Sequence, residues 1–187
     1  MRKLGQELGV QAMSLYNHVA NKDEILDGML ELVMEEIELA NGPDWKTAIR
    51  RSAISAHEAF MRHRWACSLM MSATAVSPAR IRWTDEVLRA LREAGFSPDL
   101  THHAYHALDS HITGFTLWQV SLPFETREEL VEMAEAFLRE FPIHDYPYAL
   151  EHIQQHLDPA SPSGAVEFEF GLDLILDGIE RMRDSGA

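Results

Sequence analysis

The stretch that decides the fold is residues 2–18, RKLGQELGVQAMSLYNH, near the start of the chain. Leu4 and Leu8 give its first half one apolar helical face, and Gly9-Val10 supplies a tight turn. Its second half, residues 11–18, continues as another short helix. Two short helices joined by a glycine-containing turn are compatible with a helix-turn-helix unit, the motif whose second helix enters the major groove of DNA. The spacing alone favours a plain helical hairpin.

Charge is unevenly distributed between this segment and the rest of the chain. The 187 residues carry 16 basic and 30 acidic side chains, a formal net charge of −14. Residues 1–22 hold three basic side chains and one acidic one, so their net charge is +2, whereas the remainder has a net charge of −16. DNA binding is dominated by cationic contacts to phosphate. Any DNA contact must therefore lie at the N-terminus, with the acidic body facing away.

Composition limits the class of protein. A hydrophobic content of 46% in 187 residues is enough to bury a sizeable core. The single cysteine, Cys67, excludes a disulfide framework and indicates a reducing compartment. No apolar run approaches the length of a membrane span. We therefore expect a cytoplasmic protein with no membrane partner, no cofactor and no bound metal.

Helix start signals recur along the rest of the chain, and strand alternation is not found. The signals are capping-box pairs at Asn21/Glu24 and Thr126/Glu129, a capping Asp44, and Ser-Pro starts at 77–78 and 97–98. They predict helices over about 21–41, 44–68, 77–95, 97–122 and 126–137, with a short helix at 149–156.

The last predicted helix, about residues 164–183, carries apolar residues at heptad-like spacing. Intervals of four and three residues separate Phe168, Leu172, Ile175, Ile179 and Met182. Such a seam is typical of a helix that packs against a partner helix. We therefore expect a homodimer.

The amino-acid sequence of the N-terminal segment is more informative than the spacing of its apolar residues. Leu8-Gly9-Val10, then SLYNHV at 14–19, Asn21-Lys22 and Ile25-Leu26 closely resemble the DNA-reading segment of the tetracycline-repressor (TetR) family. A second resemblance lies at 168–175, FEFGLDLI, with Gly178, which is similar to the last helix of that family. The resemblance is dense over about the first 30 residues and sparser in the body.

The resemblance implies an all-α fold, in which a helix-turn-helix DNA-binding segment joins a helical ligand-binding and dimerisation core. Residues 1–40 would be a partial DNA-binding domain with its connecting helix, and residues 41–187 the ligand-binding and dimerisation domain. The implied function is a ligand-responsive transcriptional regulator. Its partners would be operator DNA, a small-molecule effector and a second copy of the chain. We expect a repressor released from DNA by a small apolar or aromatic molecule.

The resemblance also assigns residues. The DNA-binding candidates are Gln11, Ala12, Met13, Ser14, Tyr16, Asn17, His18 and Lys22. The ligand-binding candidates are His57, Phe60, Met61, Met70, Trp83, Val87, His106 and Phe115. The dimer-interface candidates are Gly114, Trp118, Phe168, Leu172, Ile175 and Ile179. No catalytic residue is expected.

The family places another helix before this segment, whereas the chain starts at Met1 within what resembles the second helix. We therefore expect a shortened DNA-binding domain, either because the chain is truncated or because part of the domain was lost. Leu4, Leu8 and Leu15 would then be partly uncovered and DNA affinity impaired.

Two alternatives remain open at this point. The chain could be a ligand-binding dimer that no longer reads DNA. It could also be a metal enzyme that uses its histidines, since His102/His106 and His152/His156 are spaced four residues apart. His57-Glu58 begins like the zinc-protease motif HExxH, but the fifth position is Met61, so that motif fails.

Overall fold

The computed structural model describes residues 1–72, 76–124, 126–158 and 164–186. Within these ranges the chain is all-helical and contains no strand, as the sequence predicted. The helices are α1 (Arg2–Glu7), α2 (Ala12–Leu15), α3 (Lys22–Glu35), α4 (Trp45–Arg62), α5 (Arg64–Ser72), α6 (Pro78–Glu93), α7 (Pro98–Ser121), α8 (Arg127–Glu140), α9 (Pro147–Leu157) and α10 (Gly164–Asp184), with a 3-10 turn at Ile143–Asp145.

The predicted start signals form real caps. Asn21 Oδ1 accepts the Glu24 N–H at 2.9 Å, and the hydroxyls of Ser77 and Ser97 accept N–H groups in the first turns of α6 and α7. At Thr126 both halves of the capping box are present, because Glu129 Oε2 also accepts the Thr126 N–H at 3.1 Å. These side chains satisfy donors that a helix start leaves unpaired.

One predicted helix, from Asp44 towards Ser68, is two helices. The break is His63, whose φ of −115° and ψ of 61° lie outside the helical region. The carboxylate of Glu36 accepts hydrogen bonds from Arg62 Nη2 and His63 Nε2, both at 2.9 Å. These bonds hold the corner between α4 and α5 against the end of α3, and they also lower the pKa of Glu36.

Two other boundaries also differ from prediction. Helix α3 ends at Glu35, not near Asn41, although Ile37 beyond it is still buried. Helix α2 ends at Leu15, and residues 16–18 form a turn.

Helix α7 lies at the centre of the body, where it packs against α4, α5, α6 and α10. Its neighbour α4 presents alanines at 48, 53, 56 and 59, each at most 4% exposed. Small side chains allow the backbones of neighbouring helices to approach closely. The shared core is completed by larger side chains such as Phe168, Leu172 and Leu176 of α10.

Ion pairs hold α10 along α4. Arg50 Nε donates to Asp173 Oδ1 at 2.7 Å, and its Nη2 donates to Glu169 at 2.6 Å. One helical turn away, Lys46 Nζ lies 2.6 Å from Asp177 and 2.5 Å from Glu180. The two carboxylates raise the pKa of Lys46, and Lys46 in turn lowers that of Asp177. These pairs fix which face of α10 turns towards the body.

Helices α8 and α9 contact each other, and α9 contacts the 3-10 turn. Neither α8 nor α9 contains a buried residue. In this region Phe137 stacks on Phe141, with ring centroids 5.1 Å apart. The pair of helices therefore forms an exposed arm beside the body.

Candidate DNA-reading segment and ligand cavity

The N-terminal segment forms the expected helix–turn–helix. Gly9 has a φ of +68°, a left-handed conformation that glycine adopts without strain. The turn closes through a hydrogen bond from the Val10 N–H to the Gly5 carbonyl at 2.9 Å, and Gly5 itself is buried. Helices α1 and α2 therefore pack closely against each other.

The predicted DNA-binding residues are available at the surface. Met13 is 72% exposed and Tyr16 is 47% exposed. The other exposed members are Gln11, Ser14, Asn17, His18 and Lys22. The side chain of Ala12 lies outside the described part of the structure.

The apolar side chains of this unit are less covered than an internal core would be. Leu8 is 60% exposed, Val10 44% and Leu4 37%, while Leu15 is half-buried. The leucines are thus partly uncovered, as the sequence predicted. The physical reason is size, because helices of six and four residues offer too little surface to enclose a core.

Helix α3 connects this segment to the body. Near its middle, the Glu31 carboxylate accepts the Ser77 hydroxyl at 2.6 Å and the Ala79 N–H at 2.8 Å. Glu31 therefore caps the start of α6 from another helix. The carboxylate also lies where a helix N-terminus favours negative charge. A displacement of α6 would act directly on α3 through these two bonds.

A small apolar cavity of about 20 Å³ lies between α3 and the central helices. Three of the predicted ligand-binding residues line it, namely Phe60, Met70 and Trp83. The other lining residues are Met34, Ile37, Ala56, Arg80, Asp109, Ile112 and Thr113. The salt bridge between Arg80 and Asp109, at 3.6 Å, gives one side of this apolar space a charged pair.

The other predicted ligand-binding residues lie elsewhere. Val87 is buried and Met61 half-buried, but neither lines this cavity. His106 is exposed on α7, with its ring beside His102 and Tyr105. His57 and Phe115 belong to an aromatic cluster around Phe168.

His57 is the buried polar group of that cluster. Its ring stacks on Phe168 at 4.1 Å, and its Nδ1 lies 2.8 Å from Thr116 Oγ1. The Thr116 hydroxyl donates to the Ile112 carbonyl, so Thr116 Oγ1 accepts from Nδ1–H. Burial, with a smaller effect of His111, lowers the pKa of His57 to about 4. His57 is therefore neutral at neutral pH and acts as a structural group.

The predicted dimer seam requires a correction. Phe168, Leu172 and Ile179 are 1%, 0% and 7% exposed within a single chain, so they pack on their own body and leave no surface for a partner. The exposed apolar stripe of α10 is instead Val166, Phe170 and Leu174, which are 51%, 66% and 55% exposed.

The remaining interface candidates lie at or near the surface. Trp118 is 51% exposed, Gly114 is exposed and Ile175 is half-buried. A Cβ atom added at Gly114 would meet nothing within 4 Å in the single chain.

Sequence reasoning missed Glu31 and the cavity-lining Met34 and Ile37. All three lie in or just after the connecting helix, where the apolar pattern indicates core packing but not which neighbour is packed against. Ser52 is a further residue that matters for the cavity. Its hydroxyl donates to the Glu38 carbonyl at 2.6 Å and accepts from Trp83 Nε1 at 2.9 Å, which fixes a cavity wall.

Within the described ranges, no group of three or more histidine, cysteine, aspartate or glutamate residues could hold a metal ion. In the same ranges, no helix is long and apolar enough to cross a membrane.

The fold and site define a class: an all-helical protein in which an N-terminal helix-turn-helix is joined by a connecting helix to a helical body with an apolar cavity. Residues 39–183 match the model of the tetracyclin repressor-like C-terminal domain. This match covers most of the chain. The chain belongs to the tetracycline-repressor (TetR) family.

Individual relatives agree with this assignment. A transcriptional regulator of helix-turn-helix type from Saccharopolyspora erythraea is 30% identical over 148 residues, covering 76% of this chain and 63% of that protein. The match thus spans less than two thirds of that relative's length. The class A tetracycline repressor of transposon 1721, from Escherichia coli, is 29% identical, covering 97% of this chain and 81% of the repressor.

A solved structure shares the fold. The crystal structure of the TetR family protein ActR from Streptomyces coelicolor, in complex with actinorhodin, superposes with a TM-score of 0.73. The superposition covers 98% of this chain and 87% of ActR, and the two sequences are 24% identical.

Proposed function

We propose that this chain is a ligand-responsive, DNA-binding transcriptional regulator, and that it acts as a repressor released from its operator by a small apolar or aromatic molecule. Residues 1–40 form the DNA-reading segment with its connecting helix, and residues 41–187 form the ligand-binding and dimerisation domain. Names of relatives support the regulatory class, since they are regulators and repressors.

One observation carries the proposal: the cavity in the body is lined by the connecting helix itself. Met34 belongs to the last turn of α3, and Ile37 follows directly after that helix. Opposite them stand residues of the central helices, such as Phe60 and Trp83. A molecule that enters this cavity therefore pushes on the same helix that carries the DNA-reading segment.

The size of the cavity supports a two-state mechanism. At about 20 Å³ it has room for little more than one water molecule. Sites for small organic ligands measure roughly 300–1,000 Å³. Ligand binding therefore requires the surrounding helices to separate. A ligand shifts the balance between two states only by its different affinity for them, and this cavity accommodates the ligand in the separated state alone.

The lining indicates the chemical class of effector. Most of it is apolar or aromatic, and Met70 adds a side chain that adapts to varied shapes. The Thr113 hydroxyl and the Arg80–Asp109 pair offer polar contacts. A mostly apolar molecule with a polar group matches the chemistry of this lining. ActR, which has the same fold, was crystallised with actinorhodin.

We propose a homodimer whose interface uses the exposed stripe Val166, Phe170 and Leu174 of α10 together with Trp118 of α7. Large apolar side chains at half exposure or more on adjoining helices favour association. A dimer would also present two DNA-reading segments to successive major grooves, which requires a spacing of about 34–36 Å.

A screen for effectors tests the ligand half of the proposal. Aromatic compounds would be screened for a rise in Tm, and active compounds retested on Ala56→Leu, which narrows the cavity, and on His106→Ala, which lies outside it. We expect stabilisation of the parent chain and of His106→Ala, but not of Ala56→Leu. A compound that stabilises Ala56→Leu equally would place the ligand site elsewhere.

A further inference from the structure

Helix α9 (Pro147–Leu157) carries two histidines, His152 and His156, whose side chains converge. Their Nε2 atoms lie 3.2 Å apart, and the ring centroids are 4.6 Å apart with the planes crossing at 78°. His152 is exposed and His156 half-buried, so solvent reaches the pair. The two Nε2 atoms thus lie close together at the surface of the helix.

We propose that His152 and His156 form a binding site for one divalent transition-metal ion of the Cu²⁺ or Zn²⁺ type. Imidazole nitrogens bind such ions at about 2.0–2.1 Å. With the nitrogens 3.2 Å apart, those bond lengths correspond to an N–metal–N angle of about 99–106°. This angle lies between the square-planar and tetrahedral values, so the spacing of the two nitrogens suits one shared ion.

Without metal, one Nε2–H donates to the lone pair of the other Nε2. When metal binds, both Nε2 lone pairs are occupied, and each neutral ring carries its proton on Nδ1. The ring that carried its proton on Nε2 then carries it on Nδ1, and no oxidation state changes. Water would fill the remaining coordination positions, since no group of three or more metal-binding residues is found in the described part of the chain.

The surroundings favour a cation. His156 lies in the last turn of α9, where the helix dipole places partial negative charge. The chain as a whole carries a net charge of −14. Two ligands one turn apart would also clamp α9, a helix that has no buried residue to hold it.

A second pair with the same spacing provides the matched comparison. His102 and His106 on α7 have ring centroids 4.5 Å apart, with planes crossing at 76°. Both are described residues, and no hydrogen bond joins their nitrogens. Because only the α9 pair has its ring nitrogens joined by a hydrogen bond, we expect weaker binding at the α7 pair.

The test is calorimetric titration of the untagged chain with Zn²⁺, repeated for His152→Gln, His156→Gln, His102→Gln and His106→Gln. We expect one tightest site per chain, weakened about tenfold or more by either change in α9, because loss of an outer-shell partner alone costs 10–100-fold. Both changes in α7 should leave this site intact. Cu²⁺ at one equivalent should give an electron paramagnetic resonance spectrum with two nitrogen ligands.

Amide hydrogen exchange supplies an independent readout. Zn²⁺ should slow exchange in residues 150–157 of the parent chain and not in His156→Gln. Retention of the tightest site in His156→Gln, its loss in His106→Gln, or unchanged exchange in α9 at saturating metal would each overturn the proposal.

Discussion

At the scale of single residues, His57 links protonation to stability. In the folded chain its pKa is about 4, and in an unfolded chain it returns to the ordinary 6.5. Below pH 6.5 the unfolded state therefore binds the proton preferentially, so stability falls as the pH drops from 6.5 towards 4 and then levels off. The maximum loss from this group is about 3 kcal/mol.

We predict that His57→Gln reduces this pH dependence. Glutamine keeps a donor for Thr116 but does not titrate. Urea unfolding of both proteins at pH 7, 6, 5 and 4.5 measures the effect, and carboxylates that titrate in the same range contribute equally to both. If the two curves remain parallel across this range, His57 is not the responsible group.

Gly171 is a residue whose lack of a side chain is needed for packing. A Cβ atom there would lie 2.5 Å from His111 Cε1. The His111 ring cannot easily move away, because it stacks on Phe168 and its Nε2 donates to the Phe168 carbonyl at 2.9 Å. The close contact between α7 and α10 therefore depends on the absence of a side chain at Gly171.

We predict that Gly171→Ala lowers the free energy of unfolding by about 1–3 kcal/mol, the usual cost of overpacking. The matched control is Gly28→Ala in α3, where a Cβ would meet nothing within 4 Å. That change should stabilise by up to about 1 kcal/mol through helix propensity. Equal effects of the two substitutions in urea unfolding would argue against the clash.

At the scale of elements, the contact between α3 and α6 decides how the body acts on the DNA-reading segment. Glu31 accepts two hydrogen bonds at the start of α6, from Ser77 and Ala79. Glu35, one turn later, also faces α6, but its partner Arg82 is 3.7 Å away and both side chains are more than half exposed.

We predict that Glu31→Gln lowers the free energy of unfolding by about 1–2 kcal/mol, because the two bonds go to different carboxylate oxygens and glutamine replaces one of these with a donating NH2 group. Glu35→Gln should change stability by at most about 0.5 kcal/mol, since exposed ion pairs contribute little. We also expect Glu31→Gln alone to weaken the effect of a bound ligand on DNA affinity. Identical behaviour of the two variants would exclude a special role for Glu31.

Local signals explain which elements could be predicted. The starts of α6, α7 and α8 are specified within four residues by Ser-Pro or capping-box patterns, and all three form as expected. The break at His63 could not be seen, because it depends on Glu36, 27 residues earlier in the chain. Spacing likewise indicated that α10 is amphipathic, but not that Leu172 faces the body and Leu174 the solvent.

The candidate site was likewise predictable only in part. The family resemblance implied a ligand pocket, and of its eight predicted residues Phe60, Met70 and Trp83 line the small cavity. His106 does not, because the direction in which a residue of α7 points is set by the packing of four neighbouring helices.

At the scale of the whole molecule, we predict that Leu174→Arg prevents formation of the proposed homodimer. A charge placed in the centre of an apolar interface cannot be solvated there. The control is Leu32→Arg, a leucine that is 64% exposed on α3, away from the proposed interface. Light scattering coupled to gel filtration should give a monomer mass for the first and a dimer mass for the second. A dimer of Leu174→Arg would place the interface elsewhere.

The central claim is that residues 1–22 read DNA. The most direct test is to select double-stranded DNA from a random library with the 187-residue chain, and then to measure fluorescence anisotropy of the enriched sequence at a series of fixed salt concentrations. We predict weak, salt-dependent binding to an enriched sequence, because the leucines of the DNA-reading segment are partly uncovered. It should be weakened by Tyr16→Ala, left unchanged by Tyr148→Ala in α9, and less salt-dependent in Lys22→Ala. Failure to enrich any sequence, or equal affinity for the Tyr16 and Tyr148 variants, would contradict the account.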